Sequence, residues 1–142
     1  MRRMPEPPGS NRMALQLACD LAETKGAADS FGVFLASHRC PDREILDCKL
    51  ALVEACNNAI QHAGPEAKEL PILLRASCTS SLIEIRVTDH TPGFDWPEFT
   101  LPDPQAERGR GLCIIRLLMD ECRYERGANG NTLTLRKRRS SI

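Results

Sequence analysis

Between Leu82 and Asp89 the chain alternates strictly: Ile83, Ile85 and Val87 on one side, Glu84, Arg86 and Thr88 on the other. Successive side chains of a strand point to opposite faces, so this run requires a sheet with one buried face and one wet face. Pro71 to Cys78 is strand-like as well, and Thr79-Ser80-Ser81 between the two reads as a hairpin turn. Met13 to Cys19 also alternates and reads as an edge strand. Helices must cover the apolar face. Ala22 to His38 carries Ala28, Phe31, Phe34 and Leu35 at helical spacing, interrupted by Gly26 and Gly32. Pro41-Asp42 starts a second helix, with Asp42 as candidate cap, running from about Arg43 to His62 and stopped by Gly64-Pro65.

His90 to Arg108 is irregular and holds four prolines. A loop of that length inside a compact domain acts as a lid or is disordered. A third helix opens at Gly109 and runs to about Glu121. Arg123–Arg126 and Thr132–Lys137 then form a hairpin through residues 127–131. The order β-α-α-β-β-loop-α-β-β predicts an α+β fold of two layers, with helices on one face of a mainly antiparallel sheet. Residues 1–12, polar and Pro-rich, read as a disordered tail, 13–138 as one domain and 139–142 as a second tail.

Composition narrows the class. Nineteen basic residues balance nineteen acidic ones, so no broad field draws the chain to nucleic acid or membrane. The basic cluster Arg136 to Arg139 reads as a solvated tail. The seven cysteines are odd in number and lack C-x-x-C spacing, and most lie in apolar segments. That disfavours a disulfide framework or zinc site and suits a reducing cytoplasm. No apolar run reaches transmembrane length, and residues 1–12 lack the apolar stretch of a secretory signal.

Three constellations carry chemistry. On the second helix Glu54, Asn58 and His62 stand at i, i+4 and i+8, continuing the row of Leu46 and Leu50. Each step turns by about 40° and rises about 6 Å. A row that changes from apolar to polar fits a helix passing from core to pocket wall, and equally a solvent-exposed stripe. Next, Asp89-His90-Thr91-Pro92-Gly93 follows a strand end. A carboxylate there can accept from a purine amino group, which adenine has and guanine lacks at that position; an ordinary turn is the plainer reading. Finally, Arg108-Gly109-Arg110-Gly111-Leu112 precedes an apolar helix. Its backbone N–H groups and helix dipole suit phosphates, with Arg108 and Arg110 for charge-assisted contacts. A Gly-x-Gly alone is weak evidence.

Taken in order, these segments resemble the N, G1 and G2 boxes of the GHKL ATPase superfamily, whose members share the Bergerat fold. Leu52 to Ala59, Arg108 to Leu112 and Gly130-Asn131-Thr132-Leu133-Thr134-Leu135 resemble most closely the anti-sigma-factor serine kinases of the RsbW/SpoIIAB type. The likeness runs from about Met13 to Lys137.

The resemblance implies a set of roles. Asn58 holds Mg²⁺ that bridges ATP phosphates, and Glu54 is the general base. Asp89 reads the adenine amino group, Gly93 allows close backbone approach, and Thr132 supports the adenine end through a water. Arg108, Gly109, Arg110, Gly111 and Leu112 line the phosphates beneath a lid from Trp96 to Glu107. His62 is given a helix-end role. Thr91-Pro92 departs from the family's usual glycine, which puts lid geometry and nucleotide affinity in question.

The function implied is ATP-dependent phosphorylation of a serine or threonine on a STAS-type anti-anti-sigma protein, with sequestration of a sigma factor in a partner switch. Homodimerisation is common in that family. The alternatives are a nucleotide-binding sequestering module without kinase activity, and a catalytic domain serving a separate phosphoacceptor-His protein. The domain's size, with no phosphoacceptor helix before it and no transducer domain after it, favours the serine-kinase branch.

Overall fold

The computed structural model describes residues 1–7, 9–90 and 110–140, with the side chain of Arg110 left out. The elements in order are β1 (Arg2–Met4), β2 (Arg12–Leu17), α1 (Leu21–Ser37), α2 (Asp42–Gln61), a 3₁₀ turn (Ala67–Glu69), β3 (Ile72–Cys78), β4 (Leu82–Asp89), α3 (Arg110–Leu118), β5 (Glu121–Gly127) and β6 (Gly130–Arg138). The strands form one six-stranded sheet in the order β1-β2-β3-β4-β6-β5, and every neighbouring pair is antiparallel. The α+β expectation holds.

The alternation in β4 does what it requires. Ile83, Ile85 and Val87 are buried, together with Leu15 and Leu17 of β2, Leu74 of β3 and Leu135 of β6. Phe31 and Leu35 of α1 join the same core, as do Cys48, Ala51, Leu52, Ala55, Cys56 and Ala59 of α2 and Ile115 of α3. The α2 positions follow the i, i+3, i+4 pattern of one helical stripe, and that stripe lies on the sheet. Each fully buried Leu or Ile contributes roughly 1.5–3 kcal/mol. The other sheet face carries exposed charge: Arg75, Arg86 and Arg123 lie across β3, β4 and β5, with the buried Thr134 of β6 between Arg86 and Arg123.

Local signals set the ends. Asp20 caps α1 through a 2.9 Å hydrogen bond from the Ala22 N–H. For α2 the N-cap is Pro41, and Asp42 is the first helical residue with no side-chain cap bond. Asp42 therefore favours the helix through its charge near the positive dipole end, not as the expected cap. The β3–β4 hairpin closes on Thr79, whose Oγ1 accepts from the Leu82 N–H at 3.0 Å.

The chain ends differ from expectation. Residues 2–4 are not disordered: β1 pairs with β2, Arg2 opposite Gln16 and Met4 opposite Ala14, so β2 is no longer the edge. A three-residue strand is too short to show a period of two, but β2's open N–H and C=O groups supply its partners. Nor is the basic cluster a solvated tail. Arg136 pairs with Glu84 (2.8 Å) and Glu121 (3.3 Å), and Lys137 donates to the Leu118 carbonyl at 2.7 Å. Arg139 donates to the carbonyls of His38 (2.9 Å) and Thr79 (2.8 Å). Ser140 donates its N–H and hydroxyl to the buried Glu44 carboxylate at 2.6 and 2.8 Å. The last hairpin is longer and tighter than expected, with Gly127 opposite Gly130 and only Ala128-Asn129 between.

Candidate nucleotide site

Two ends of the fold build the site. At the first, α2 passes α3. Glu54 and Asn58 are only partly buried, one helical turn apart, while Ala55, Cys56 and Ala59 behind them are in the core. Gly111 of α3 faces them. A Cβ built on Gly111 would lie 2.7 Å from Glu54 Oε2, 3.4 Å from Asn58 Oδ1 and 3.5 Å from Asn58 Nδ2. Glycine is thus what lets the first turn of α3 approach both polar groups. The Asn58 Nδ2 is buried with no hydrogen-bond partner among the described residues. A buried polar atom of this kind calls for a partner that the protein does not itself supply.

The polar row of α2 is therefore a wall against α3 and not a free stripe. Leu112 packs partly against the core beside Gly111. His62 is the C-cap residue of α2, its N–H directed to Asn58 O and Ile60 O, which matches its expected helix-end role. Cys56, between Glu54 and Asn58 but turned into the core, has its thiol pushed up to about 12 by burial. It is no nucleophile at neutral pH.

At the second end, Asp89 closes β4 and is buried. Its Oδ1 accepts from Asn131 Nδ2 at 3.1 Å, its register partner on β6. Gly130, with φ +132°, lies so close that a Cβ there would be 2.6 Å from the Asp89 carbonyl oxygen. No L side chain fits that backbone. Thr132, assigned to the adenine end through a water, pairs with Thr88, hydroxyl to hydroxyl at 3.0 Å, on the sheet face opposite to Asp89. The residue beside Asp89 is Asn131, one position earlier. Strand parity holds the signal: Asp89 lies in phase with Ile83, Ile85 and Val87, so its neighbour on β6 must be in phase with Leu133 and Leu135.

Thr91, Pro92, Gly93, the segment from Trp96 to Glu107, Arg108 and Gly109 lie outside the described residues, as does the side chain of Arg110. Among the described residues no cluster of His, Cys, Asp or Glu forms an all-protein metal site, and no helix is long and apolar enough to cross a membrane. Asn58 fits magnesium in another way. It offers one hard amide oxygen, which suits an ion that keeps waters and takes its remaining ligands from phosphates.

An Asn-bearing helix against a Gly-led helix, with a buried Asp at a strand end of a one-faced antiparallel sheet, defines an ATPase domain of the histidine-kinase type. The sequence profile described as the histidine kinase-like ATPase domain matches residues 17–137, and the chain belongs to that family. It is 34% identical over 105 residues to the serine-protein kinase RsbW of Bacillus subtilis, covering 66% of this chain and 64% of that protein. It is 36% identical over 93 residues to the serine-protein kinase RsbW of Bacillus licheniformis, covering 58% of each. The chain thus spans about three-fifths of the length of these relatives. The crystal structure of the RsbU and RsbW domains of a Mycobacterium tuberculosis protein superposes with a TM-score of 0.70 at 23% identity, over 97% of this chain and 34% of that one. It shares the fold.

Proposed function

We propose that this domain is an ATP-dependent protein-serine/threonine kinase that phosphorylates a STAS-type anti-anti-sigma protein and sequesters a sigma factor. The observation that carries this reading is the convergence of Glu54, Asn58 and Gly111 within contact distance, on a chain a third identical to serine-protein kinases over 105 residues.

Bound ATP with Mg²⁺ would supply the phosphoryl group and neutralise its charge. The chain's own residues do the positioning on which phosphoryl transfer depends. Asn58 presents its amide oxygen to the metal and its orphaned N–H group to a phosphate oxygen. Gly111, by lacking a side chain, leaves room at the start of α3, where backbone N–H groups and the helix dipole favour anions. Gly109, Arg108 and Arg110 are assigned to the same phosphate-binding turn. Glu54 takes the proton of the attacking hydroxyl, which converts a weak nucleophile into a competent one. Asp89, oriented by Asn131, accepts from the adenine 6-amino group, and guanine's carbonyl there meets repulsion. Gly93 is assigned to the adenine side.

The test is transfer of labelled phosphate from ATP to a purified STAS-domain protein of the same organism. Wild type is expected to form acid-stable phosphoserine or phosphothreonine. Glu54→Ala is expected to abolish transfer while still holding the sigma factor. Transfer that survives in Glu54→Ala contradicts the assignment. A sequestering module without kinase activity is the second reading, favoured by Thr91-Pro92 in place of the family's usual glycine.

A further inference from the structure

Cys40 and Cys78 are 38 positions apart in the chain, yet their Sγ atoms lie 3.6 Å from one another. Cys40 sits in the junction between α1 and α2, where Arg39 takes φ +62° and turns the chain. Cys78 is the last residue of β3. Both are buried. Among the described residues no other two cysteines meet in this way. The pair lies under the C-terminal strap: Arg139 Nη1 is 3.6 Å from Cys78 Sγ while it donates to Thr79 O, and Ser140 is held by Glu44.

We propose that Cys40 and Cys78 form an oxidation-sensitive dithiol, a site of reversible disulfide formation that clamps the α1–α2 junction to the end of β3. The two sulfurs, already in contact, must close to about 2.05 Å to form the bond. The two thiols are not equivalent. Burial raises Cys40 and the nearby Arg139 guanidinium partly offsets this, so Cys40 gives up its proton only as it attacks. The Arg139 guanidinium lies against Cys78, so a thiolate forming there has a counter-cation. Cys78 is therefore assigned as the first sulfur oxidised and Cys40 as the resolving thiol.

With hydrogen peroxide as oxidant, the Cys78 thiolate attacks one peroxide oxygen. The O–O bond breaks, and hydroxide leaves and is protonated to water. Cys40 sulfur then attacks the resulting sulfenic acid at Cys78. The S–O bond breaks, and the departing hydroxide takes the Cys40 proton. Two thiols and one peroxide thus give one disulfide and two waters, with two electrons passing from sulfur to oxygen. A thiol reductant reverses the step. Among the described residues, Cys48 and Cys56 have no second sulfur in contact with which to close a bridge.

The experiment is peroxide treatment of the fully reduced, folded chain, followed by alkylation of free thiols in denaturant and peptide mass mapping. A Cys40–Cys78 cross-linked peptide is expected, formed at least ten-fold faster than any oxidation of Cys48 or Cys56 and reversed by dithiothreitol. The melting temperature of the oxidised form should rise by several degrees, since the bridge closes a long loop. Cys40→Ser and Cys78→Ser should each abolish the cross-link; should either fail to fold, the wild-type map alone decides. Cys40 and Cys78 that stay alkylatable after Cys19 or Cys113 has been oxidised would overturn the proposal. So would Cys78 halted at a sulfinic acid with Cys40 still free.

Discussion

Gly111 and Glu54 stand so close that the smallest side chain would collide: a Cβ on the glycine would lie 2.7 Å from Oε2 of the glutamate. The contact joins two parts of the chain 57 positions apart and places the start of α3 on the carboxylate assigned as base. Gly111→Ala should therefore leave the fold intact, because the far end of a Glu side chain can move aside. It should displace that carboxylate from its working position, and a shift near 1 Å costs roughly 100-fold in rate. Phosphotransfer assays and thermal melts on the same preparation check both halves. A loss of activity with a melting point within a few degrees of wild type is the expected result.

Asn131 and Thr132 should separate cleanly. Asn131→Leu removes the 3.1 Å bond to Asp89, a loss of about 1–2 kcal/mol. ATP affinity should fall roughly five- to thirty-fold. Thr132→Val removes only the bond to Thr88 on the far face and should change affinity less than two-fold. Equal effects in a calorimetric titration would show that the parity argument is wrong.

The docked C-terminus should be measurable as stability. Truncation after Arg138 removes the Arg139 bonds to His38 and Thr79 and leaves the buried Glu44 without Ser140. Net worth per bond is about 1 kcal/mol, higher where a charged group is involved, so a loss of roughly 2–4 kcal/mol is expected. Urea denaturation should show a lower midpoint with an unchanged slope.

Buried thiols set a pH dependence. Cys40, Cys48 and Cys56 are each pushed up to about 12, chiefly by burial, against an ordinary value near 9. A raised folded value means that the folded state holds the proton more tightly. Their contribution is complete below about pH 9 and is lost as pH rises toward about 12. The double variant Cys48→Ala/Cys56→Ala should show a shallower fall in stability between pH 9 and 11 than wild type, measured by urea melts.

Periodicity made most of the fold legible. Helices α1 and α2 and strands β2, β3, β4 and β6 lie within a few residues of where apolar spacing puts them, because each has a face that must be buried. Glu54 and Asn58 were legible as a polar row on one helix, but Leu46 and Leu50, expected to root that row in the core, are exposed. What escaped were features without period. Strand β1 is three residues long, and its existence depends on an open edge elsewhere. The role of Arg139 and Ser140 depends on carbonyls and a carboxylate supplied by His38, Thr79 and Glu44, far away in sequence. Asn131 was overlooked beside Thr132 although the alternation from Ile83 to Asp89 already determined which of them shares Asp89's face.

The central claim is that Asn58, Glu54, Gly111 and Asp89 make an ATP site. The most direct measurement is a calorimetric titration of ATP with Mg²⁺ into wild type and Asn58→Ala. The account predicts Mg²⁺-dependent binding by wild type, weakened at least ten-fold by the substitution. Wild type that binds no ATP at millimolar concentration, or Asn58→Ala that binds as tightly as wild type, would contradict it.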